Sequence, residues 1–580
     1  MLPDQPLCIV GPAYKYYDGQ FLGTFPAEEY DVPIVPGSTF DRETAKVTIK
    51  NAGVVFLQKS PVTLSVDQDN IELSEDEAKL VQPKDLVQVL DENGNEILKT
   101  YVFKVSGNKI FLLDPIPQDV EKATVNFARF QDVKLSSNQW EYDAGYSKLT
   151  IKYSLLGKTI IVGEVYADYR VLRSDLAKEF MEFQSVEDIE NQLGEISTRN
   201  PLAYAVAKAL ANTTVPVYAM GIRSDDAEGY GEAFNELKAY PVYFIVPLTY
   251  NVAVHGMLPS YVDELSKPEV SKWRMAFIVP RVPFEKEYRR GTAKISQGVL
   301  TDKEAKFFEL IGTGTEYHYY VVIGDKYYPV EYTKNNQQLQ LANPWPEDVE
   351  NVEYRLVMKV ESKVERKLLM KEIAETYNNK RIVCVSPEVV IDDDDQKVPG
   401  YYLAAAIAAM LSGLPPHKPV TYMAIGGFKR AIFNDGTYFT EDNLNDLAES
   451  GWLLVVQDNL FAPLYIRHQI TTARDNDYNR EISAVRTLDA ISDIFKKALE
   501  PYIGKYNITE ETKDLIKQTL EITAQQLANL ESPFIGAMIR RYKIGEVTEL
   551  SATSVQVEAD VEIPMPLNYI WLRVAIPLGS

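Results

Sequence analysis

Short, continuous apolar runs between residues 215 and 456 are the feature that most constrains the fold. The runs cover residues 215–222, 242–246, 275–279, 381–385 and 452–456. Runs of this kind are typical of strands buried on both faces of a sheet that helices cover. Predicted helices alternate with them, one opened by a capping box from Ser185 to Asp188, one over 201–211 and one, apolar all round, over 404–410. The sequence therefore predicts an α/β core, a mixed sheet flanked by helices.

An internal sequence repeat relates two β-rich stretches. Residues 110–121 read IFLLDPIPQDVE and residues 339–350 read LQLANPWPEDVE, so Pro115 aligns with Pro344 at an offset of 229 residues (344 − 115). Strand–turn–strand patterns precede both copies, and alternating apolar residues follow them. A chance match of a Pro-x-Pro loop is the alternative. Because the apolar pattern agrees on both sides of the loop, we favour two related β modules.

The positions of these modules predict the domain organisation. Each module lies between predicted core elements, so each is expected to be an inserted, protruding β-rich domain. The predicted boundaries are 1–34, 166–285 and 361–478 for the α/β core, 35–165 and 286–360 for the inserted domains, and 479–580 for a C-terminal α+β subdomain that ends in extended strands.

The C-terminal subdomain combines helices with alternating strands. Amphipathic spacing predicts helices at 485–499 and 509–530, and strict alternation then predicts two half-buried strands. The apolar positions of these strands are Val555, Val557, Val561, Ile563, Ile570, Leu572, Val574 and Ile576. Because strands at a chain end expose unpaired backbone groups, a neighbouring molecule can pair with them.

Composition argues against several partners. The formal net charge of −23 disfavours nucleic acid, because phosphate binding needs clustered Lys and Arg. No run reaches the roughly 18 apolar residues of a membrane-spanning helix, so direct membrane insertion is not expected. The first ten residues, MLPDQPLCIV, lack a basic region followed by an apolar stretch, so we expect no signal peptide and folding in a cytoplasm. Cys8 and Cys384 are interpreted as small core residues rather than as a disulfide.

Motif searches identify no catalytic constellation. The sequence lacks a P-loop and the GxGxxG, GxSxG, HExxH and CxxC motifs. The histidines His255, His318, His417 and His468 have no ligand-like neighbours in sequence. Four consecutive acids, 392–395, are the best candidate for a cation site, but they lack EF-hand spacing and are interpreted as a solvated loop. We expect no catalytic residue, no cofactor and no metal.

Three stretches resemble contractile tail sheath proteins of phages and related contractile injection systems. Residues 185–222 have that family's order of a Ser-led helix, an Asn-Pro-Leu-Ala helix start and a Val-Tyr strand. Residues 398–422 place an Ala-rich helix before the loop GLPPHKPV, and residues 480–504 open a long helix with Arg-Thr-Leu. The CIVGPA at residues 8–13 is also similar to the family's first strand. The order of these stretches carries the resemblance.

The resemblance implies a mechanical role. Sheath subunits polymerise with copies of themselves into stacked rings around an inner tail tube, and contraction drives the tube through a cell envelope. Baseplate and tail-terminator proteins are implied partners, and a virion tail assembled in the host cytoplasm is the implied location. The terminal strands are then expected to link subunits. In the helix at 509–530, Lys513, Lys517, Gln518 and Glu521 are candidates for tube contact. The alternative is a helix that only covers the core.

Other interpretations stay open. The family has an N-terminal arm before its first strand, whereas CIVG begins here at residue 8. A short arm, linkage by the C-terminus alone and a truncated chain are the alternatives. Two other functions are a sheath-like baseplate or secretion component and, less favoured, an α/β enzyme with β modules for binding.

Overall fold

The structure is a computed structural model that describes residues 4–27, 29–432, 440–529 and 536–568. The chain divides into a β unit, Ala13–Ala177, and a main unit formed by Met1–Pro12 and Lys178–Ser580. The first strand, β1 (Leu7–Gly11), lies in the main unit and is buried along its whole length.

The described residues of the β unit form strands, one short α-helix and two 3₁₀ helices, Tyr153–Leu155 and Ser174–Leu176. Its elements are β2 (Tyr14–Phe25), β3 (Tyr30–Asp31), β4 (Thr39–Phe40), β5 (Lys46–Leu64), β6 (Asn70–Glu72), α1 (Glu75–Ala78), β7 (Leu86–Leu90), β8 (Glu96–Ser106), β9 (Lys109–Leu112), β10 (Val120–Leu135), β11 (Trp140–Asp143), β12 (Lys148–Ile151) and β13 (Gly163–Leu172). Its large sheet has the order β2-β13-β5-β10-β7-β8-β9-β6, and β11-β12-β3 form a smaller one. β13 buries every second residue, as a strand with one face on a core should.

The β unit is larger than the inserted domain predicted at 35–165. β2 and β13 flank that stretch and pair antiparallel, with Tyr14 opposite Leu172 and Phe25 opposite Gly163. Residues 13–34 and 166–177 had been expected in the α/β core, but they belong to the β unit. The pairing joins residues that are far apart in sequence, so no local pattern indicates it.

The main unit continues with alternating strands and helices. These are β14 (Phe180–Phe183), α2 (Val186–Leu193), α3 (Pro201–Leu210), β15 (Val217–Gly221), α4 (Ala227–Leu237), β16 (Phe244–Pro247), α5 (Val252–Leu265) and β17 (Met275–Ile278). The predicted capping box is present, because Ser185 and Asp188 satisfy each other's backbone N–H groups at the start of α2.

A closed barrel follows β17. Its elements are β18 (Glu285–Ser296), β19 (Val299–Thr301), α6 (Phe307–Ile311), β20 (Tyr319–Ile323), β21 (Lys326–Asn335), β22 (Gln338–Leu341) and β23 (Val349–Lys359). Strands β18–β23 repeat the pairing order of β5–β10, and pairing of β18 with β19 closes the barrel. Ile71 lies opposite Ile110, and Leu300 lies opposite Leu339. Leu300 follows Ile71 by 229 residues (300 − 71), and Leu339 follows Ile110 by 229 residues (339 − 110). The two strand pairs are therefore related by the same offset as the sequence repeat.

The rest of the main unit completes the core and adds a C-terminal region. The elements are α7 (Lys363–Tyr377), β24 (Ile382–Ser386), β25 (Val389–Asp392), β26 (Lys397–Pro399), α8 (Tyr401–Ser412), β27 (Ala424–Ile425), β28 (Phe428–Ile432), α9 (Glu441–Glu449), β29 (Trp452–Val456), β30 (Leu464–Ile466), α10 (Asp477–Arg480), α11 (Ile482–Leu499), α12 (Glu510–Ala528), β31 (Arg541–Ile544), β32 (Thr548–Ser551), β33 (Ser554–Gln556) and β34 (Ala559–Glu562).

One mixed sheet organises the core. Its order is β14-β15-β1-β16-β17-β24-β29-β30-β27, and the strands from β15 to β29 run parallel. Cys8 and Val10 face a cluster formed with α4, α5, α7 and α9. Their neighbours Leu7 and Ile9 point to the opposite face, where α3 and α8 contact β1. All five predicted apolar runs contribute strands to this sheet, so the prediction of mixed sheets with helices is confirmed.

Candidate inter-subunit surface

Two helices form the base of the C-terminal region. α12 buries Ile516, Leu520, Ala524 and Leu527, whose spacing places them on one face. The Thr509 side chain accepts a hydrogen bond from the Thr512 N–H and caps the helix. The buried face packs against α11, and the resulting cluster also contains Met538, Ile539, Ile544 and Ile563. Ile544 of β31 and Val561 of β34 belong to this cluster, so apolar contacts hold these two strands against the helices.

A buried ionic network attaches α11 to the main sheet. Arg381, just before β24, donates two hydrogen bonds to Asp489 at 2.7 and 2.8 Å. The Tyr243 hydroxyl donates to the same carboxylate at 2.7 Å, and burial together with Asp489 raises the pKa of Tyr243 well above its ordinary value. Arg486 is fully buried and donates from Nε to Gln5 at 2.7 Å. α11 is thereby joined to two parts of the core.

The strand predicted at 555–563 is divided into two. Val555 lies on β33, Val561 lies on β34, and Val557 lies between the strands. β33 pairs with β32, and β34 pairs with β31. Val557 and Val561 pack against the α11–α12 cluster, and Ile563 is 2% exposed within it. Val555 and Val561 thus lie in sheets of this chain itself, whereas Val557 and Ile563 lie outside the strands and contribute to the cluster.

Within the described part of the chain, both of these sheets have open edges. Across the described ranges, β31 and β34 pair only with each other, and the same holds for β32 and β33. Each strand therefore presents backbone N–H and C=O groups along its outer edge. The second half of the predicted linkage set lies outside the described residues; it comprises Ile570, Leu572, Val574 and Ile576.

The candidate tube-contact residues on α12 separate into two groups. Lys513 forms ion pairs with Glu510 and Glu549 at 2.7 and 2.9 Å, and Lys517 pairs with Glu546 at 2.6 Å. These acidic partners raise the pKa of both lysines. The pairs with Glu546 and Glu549 connect α12 to the segment around β32. Lys513 and Lys517 are therefore engaged within the chain.

The other two candidates, Gln518 and Glu521, are exposed. Leu515 and Ile522 share the outer face with Gln518 and are 44% and 57% exposed. Sequence reasoning missed these two residues, because an apolar residue on an amphipathic helix is first assigned to the buried face. Leu515 and Ile522 therefore add exposed apolar area beside two of the candidate residues.

The remaining polar candidates have structural roles. Asp392 is fully buried, and its Oδ1 accepts hydrogen bonds from the backbone N–H groups of Asp394 and Gln396. The acidic run is thus a turn closed by its first member, with the other three acids exposed, rather than a wholly solvated loop. His255 is buried and contacts the Thr249 carbonyl at 3.0 Å, and burial lowers its pKa to about 4.

Among the residues that the structure describes, no group of three His, Cys, Asp or Glu side chains is arranged to hold a metal ion. Cys8 and Cys384 are buried free thiols. No described helix is long and apolar enough to cross a membrane.

Comparisons with known proteins identify sheath structures. The sequence matches no protein-family model and no curated protein. The contracted helical sheath of the anti-feeding prophage is 12% identical, with 69% of this chain and 89% of that chain covered and a TM-score of 0.43. The contracted PVC sheath complex of an extracellular contractile injection system is 12% identical, with 70% and 89% covered and a TM-score of 0.43. The sheath tail protein from Listeria innocua is 11% identical, with 67% and 89% covered and a TM-score of 0.33. These structural neighbours are sheath proteins, the class that the sequence resembles.

Proposed function

We propose that this chain is the sheath subunit of a contractile tail or contractile injection particle. Copies of it polymerise as a helical sleeve around an inner tube, and contraction of the sleeve drives the tube through a target envelope. The sequence resemblance over 185–222, 398–422 and 480–504 supplies the class. The observation that carries the proposal is the pair of two-stranded sheets with open edges, mounted on helices that a buried ionic network joins to the core.

Strand exchange is the proposed link between subunits. A two-stranded sheet is marginal by itself, and a further strand adds main-chain hydrogen bonds at its edge. In this proposal β31–β34, with Val561 and Ile563, receive a strand, and residues 569–580, with Ile570, Leu572, Val574 and Ile576, supply one. Main-chain pairing tolerates side-chain repacking elsewhere, so the link can persist while rigid bodies rotate during contraction.

The outer face of α12 is the proposed tube contact. Gln518 and Glu521 remain candidates, and the exposed Leu515 and Ile522 extend the surface. Baseplate and terminator proteins are the proposed partners at the sleeve ends. The same proposal assigns the β unit and the barrel to the inserted, protruding domains predicted at 35–165 and 286–360. The shared strand order of β5–β10 and β18–β23 supports their relationship.

Assembly of the purified chain tests this proposal. We expect electron microscopy of concentrated protein, with the particle's tube and baseplate present as a seed, to reveal hollow sleeves or stacked rings. A chain that stays monomeric under these conditions is not a sheath subunit. Growth restricted to one ring at the baseplate indicates a baseplate component instead.

A further inference from the structure

Asn568 attaches the chain beyond β34 to the core of the main unit. Its Nδ2 donates a hydrogen bond to Glu481 Oε1 at 2.9 Å, and its Oδ1 accepts one from Thr421 Oγ1 at 3.0 Å. Glu481 immediately precedes α11 and is 5% exposed, while Thr421 lies shortly before β27. One amide side chain therefore connects three stretches that are distant in sequence.

His468 strengthens this attachment. Its Nε2 lies 2.6 Å from Glu481 Oε1 and 3.0 Å from Asn568 Nδ2. An ionised carboxylate only accepts hydrogen bonds, so the network assigns the Nε2–H of His468 as a donor to Glu481. The Asn568 amide then donates to the same oxygen, so the Nδ2 of Asn568 and the Nε2 of His468 are neighbouring donors that share one acceptor. A carboxylate acceptor makes both bonds stronger than neutral ones.

The residues just before Asn568 are not held by burial. Leu567 is 77% exposed and Met565 is 37% exposed. Pro564 and Pro566 have no backbone N–H to donate. The side chain of Asn568 is therefore the principal attachment of this segment, and residues 569–580 follow it directly.

We propose that Asn568 is a positioning residue for subunit linkage. Its clamp with Glu481 and Thr421 sets the point at which the C-terminal strand leaves the main unit, so that the core and not the β31–β34 sheet determines where the strand can reach. Fixing this point reduces the conformational freedom lost on linkage and raises the effective concentration of the strand at its acceptor. This inference rests on the proposed sheath function.

Side-chain substitutions on both sides of the clamp test the proposal in the full chain. Asn568→Ala removes the amide, and Thr421→Val removes the hydroxyl while keeping the shape of the residue. Thr421→Ser, which keeps the hydroxyl, is the conservative rescue, and Asn108→Ala changes an exposed asparagine in the β unit. The readouts are hydrogen–deuterium exchange of the peptide over 563–568 in the unassembled chain and the critical concentration for sleeve formation.

We expect Asn568→Ala and Thr421→Val to accelerate exchange in that peptide. Asn568→Ala should raise the critical concentration about tenfold, because it removes a hydrogen bond to a carboxylate, and Thr421→Val should raise it about fivefold, because it removes a neutral one. Thr421→Ser and Asn108→Ala should match the wild type. If exchange is unchanged in Asn568→Ala and Thr421→Val, the clamp does not exist. If exchange is faster but assembly is normal, the clamp exists and does not position the strand. Wild-type protein that never assembles refutes the sheath function instead, and the exchange data still decide whether the clamp exists.

Discussion

Arg381 and Asp489 form a two-point ion pair inside the main unit, with Nη1–Oδ2 and Nη2–Oδ1 distances of 2.7 and 2.8 Å. Both residues are 4% exposed. The pair joins the start of a central strand to the helix that carries the C-terminal sheets. The helix is therefore attached to the main sheet by a short, directional contact in addition to apolar packing.

Removing the charge of Asp489 should destabilise the main unit strongly. Asp489→Asn leaves the Arg381 guanidinium buried without its nearest counter-charge, and we expect the free energy of unfolding to fall by about 3–5 kcal/mol. Chemical denaturation measures this loss. The control is Asp76→Asn, which removes the exposed Lys79–Asp76 pair and should cost less than about 1 kcal/mol. Equal losses of unfolding free energy in the two variants would show that the buried pair stabilises the protein no more than the exposed pair does.

The C-terminal residues should be needed for assembly and not for folding. Deletion of 569–580 leaves every described strand in place, so circular dichroism and thermal unfolding should match the full chain while sleeves are lost. A finer test replaces Ile570 and Val574 by Asp, with Arg573→Gln at an alternate position as the control. Successive side chains of a strand point to opposite faces, and only one face packs against the acceptor. The Asp substitutions at 570 and 574 should therefore block assembly, whereas Arg573→Gln should not. Normal sleeves from the deletion variant would disprove the strand linkage.

The outer face of α12 should affect tube binding alone. Leu515→Asp combined with Ile522→Asp changes partly exposed positions inside a helix, so the free energy of unfolding should fall by no more than about 1–2 kcal/mol. We expect co-sedimentation with the tube to be lost. Leu550→Asp, at a 70% exposed residue on β32, is the matched control and should bind the tube normally. Retained binding in the double variant would assign the tube contact elsewhere.

His255 should make the stability of the main unit depend on pH. Burial lowers its pKa to about 4, below the ordinary value of 6.5, so the unfolded chain binds a proton at a pH where the folded chain does not. Stability is then full above pH 6.5 and falls toward pH 4, by about 1.4 kcal/mol per pH unit.

The matched variant is His255→Gln, which keeps an N–H donor for the Thr249 carbonyl but does not titrate. Between pH 6.5 and 4.5 the wild type should lose about 2–3 kcal/mol more than this variant in denaturant titrations at fixed ionic strength. Parallel curves for the two proteins would mean that His255 is already solvated in the folded state.

Local patterns predicted much of the architecture. A strand buried on both faces needs apolar side chains at every position, so the run at 452–456 already indicates its place in the core, and it forms β29. Ser185 and Asp188 specify the start of α2 because capping depends on residues only three positions apart. The sequence repeat at an offset of 229 residues was visible because corresponding strands keep the same alternation of apolar and polar residues.

Long-range pairing was not visible in the same way. β2 and β13 belong to one sheet because Tyr14 meets Leu172, and alternation in either strand is compatible with many partners. The division of the run at 555–563 depends on separate partners for β33 and β34. Leu515 and Ile522 are apolar and recur at a helical spacing, as do Ile516 and Leu520. Only the packed structure therefore distinguishes the exposed pair from the buried pair.

The sequence by itself determined many elements of this protein, namely the buried strands of the core and the amphipathic helices, each of which depends on neighbours within a few positions. Only the tertiary structure decided which polar side chains from distant parts of the sequence contact each other. The pairing of Arg381 with Asp489, and of Asn568 with Glu481, requires side chains from remote stretches to meet at hydrogen-bonding distance. The strength of such contacts depends on distance and burial, which residue types do not encode.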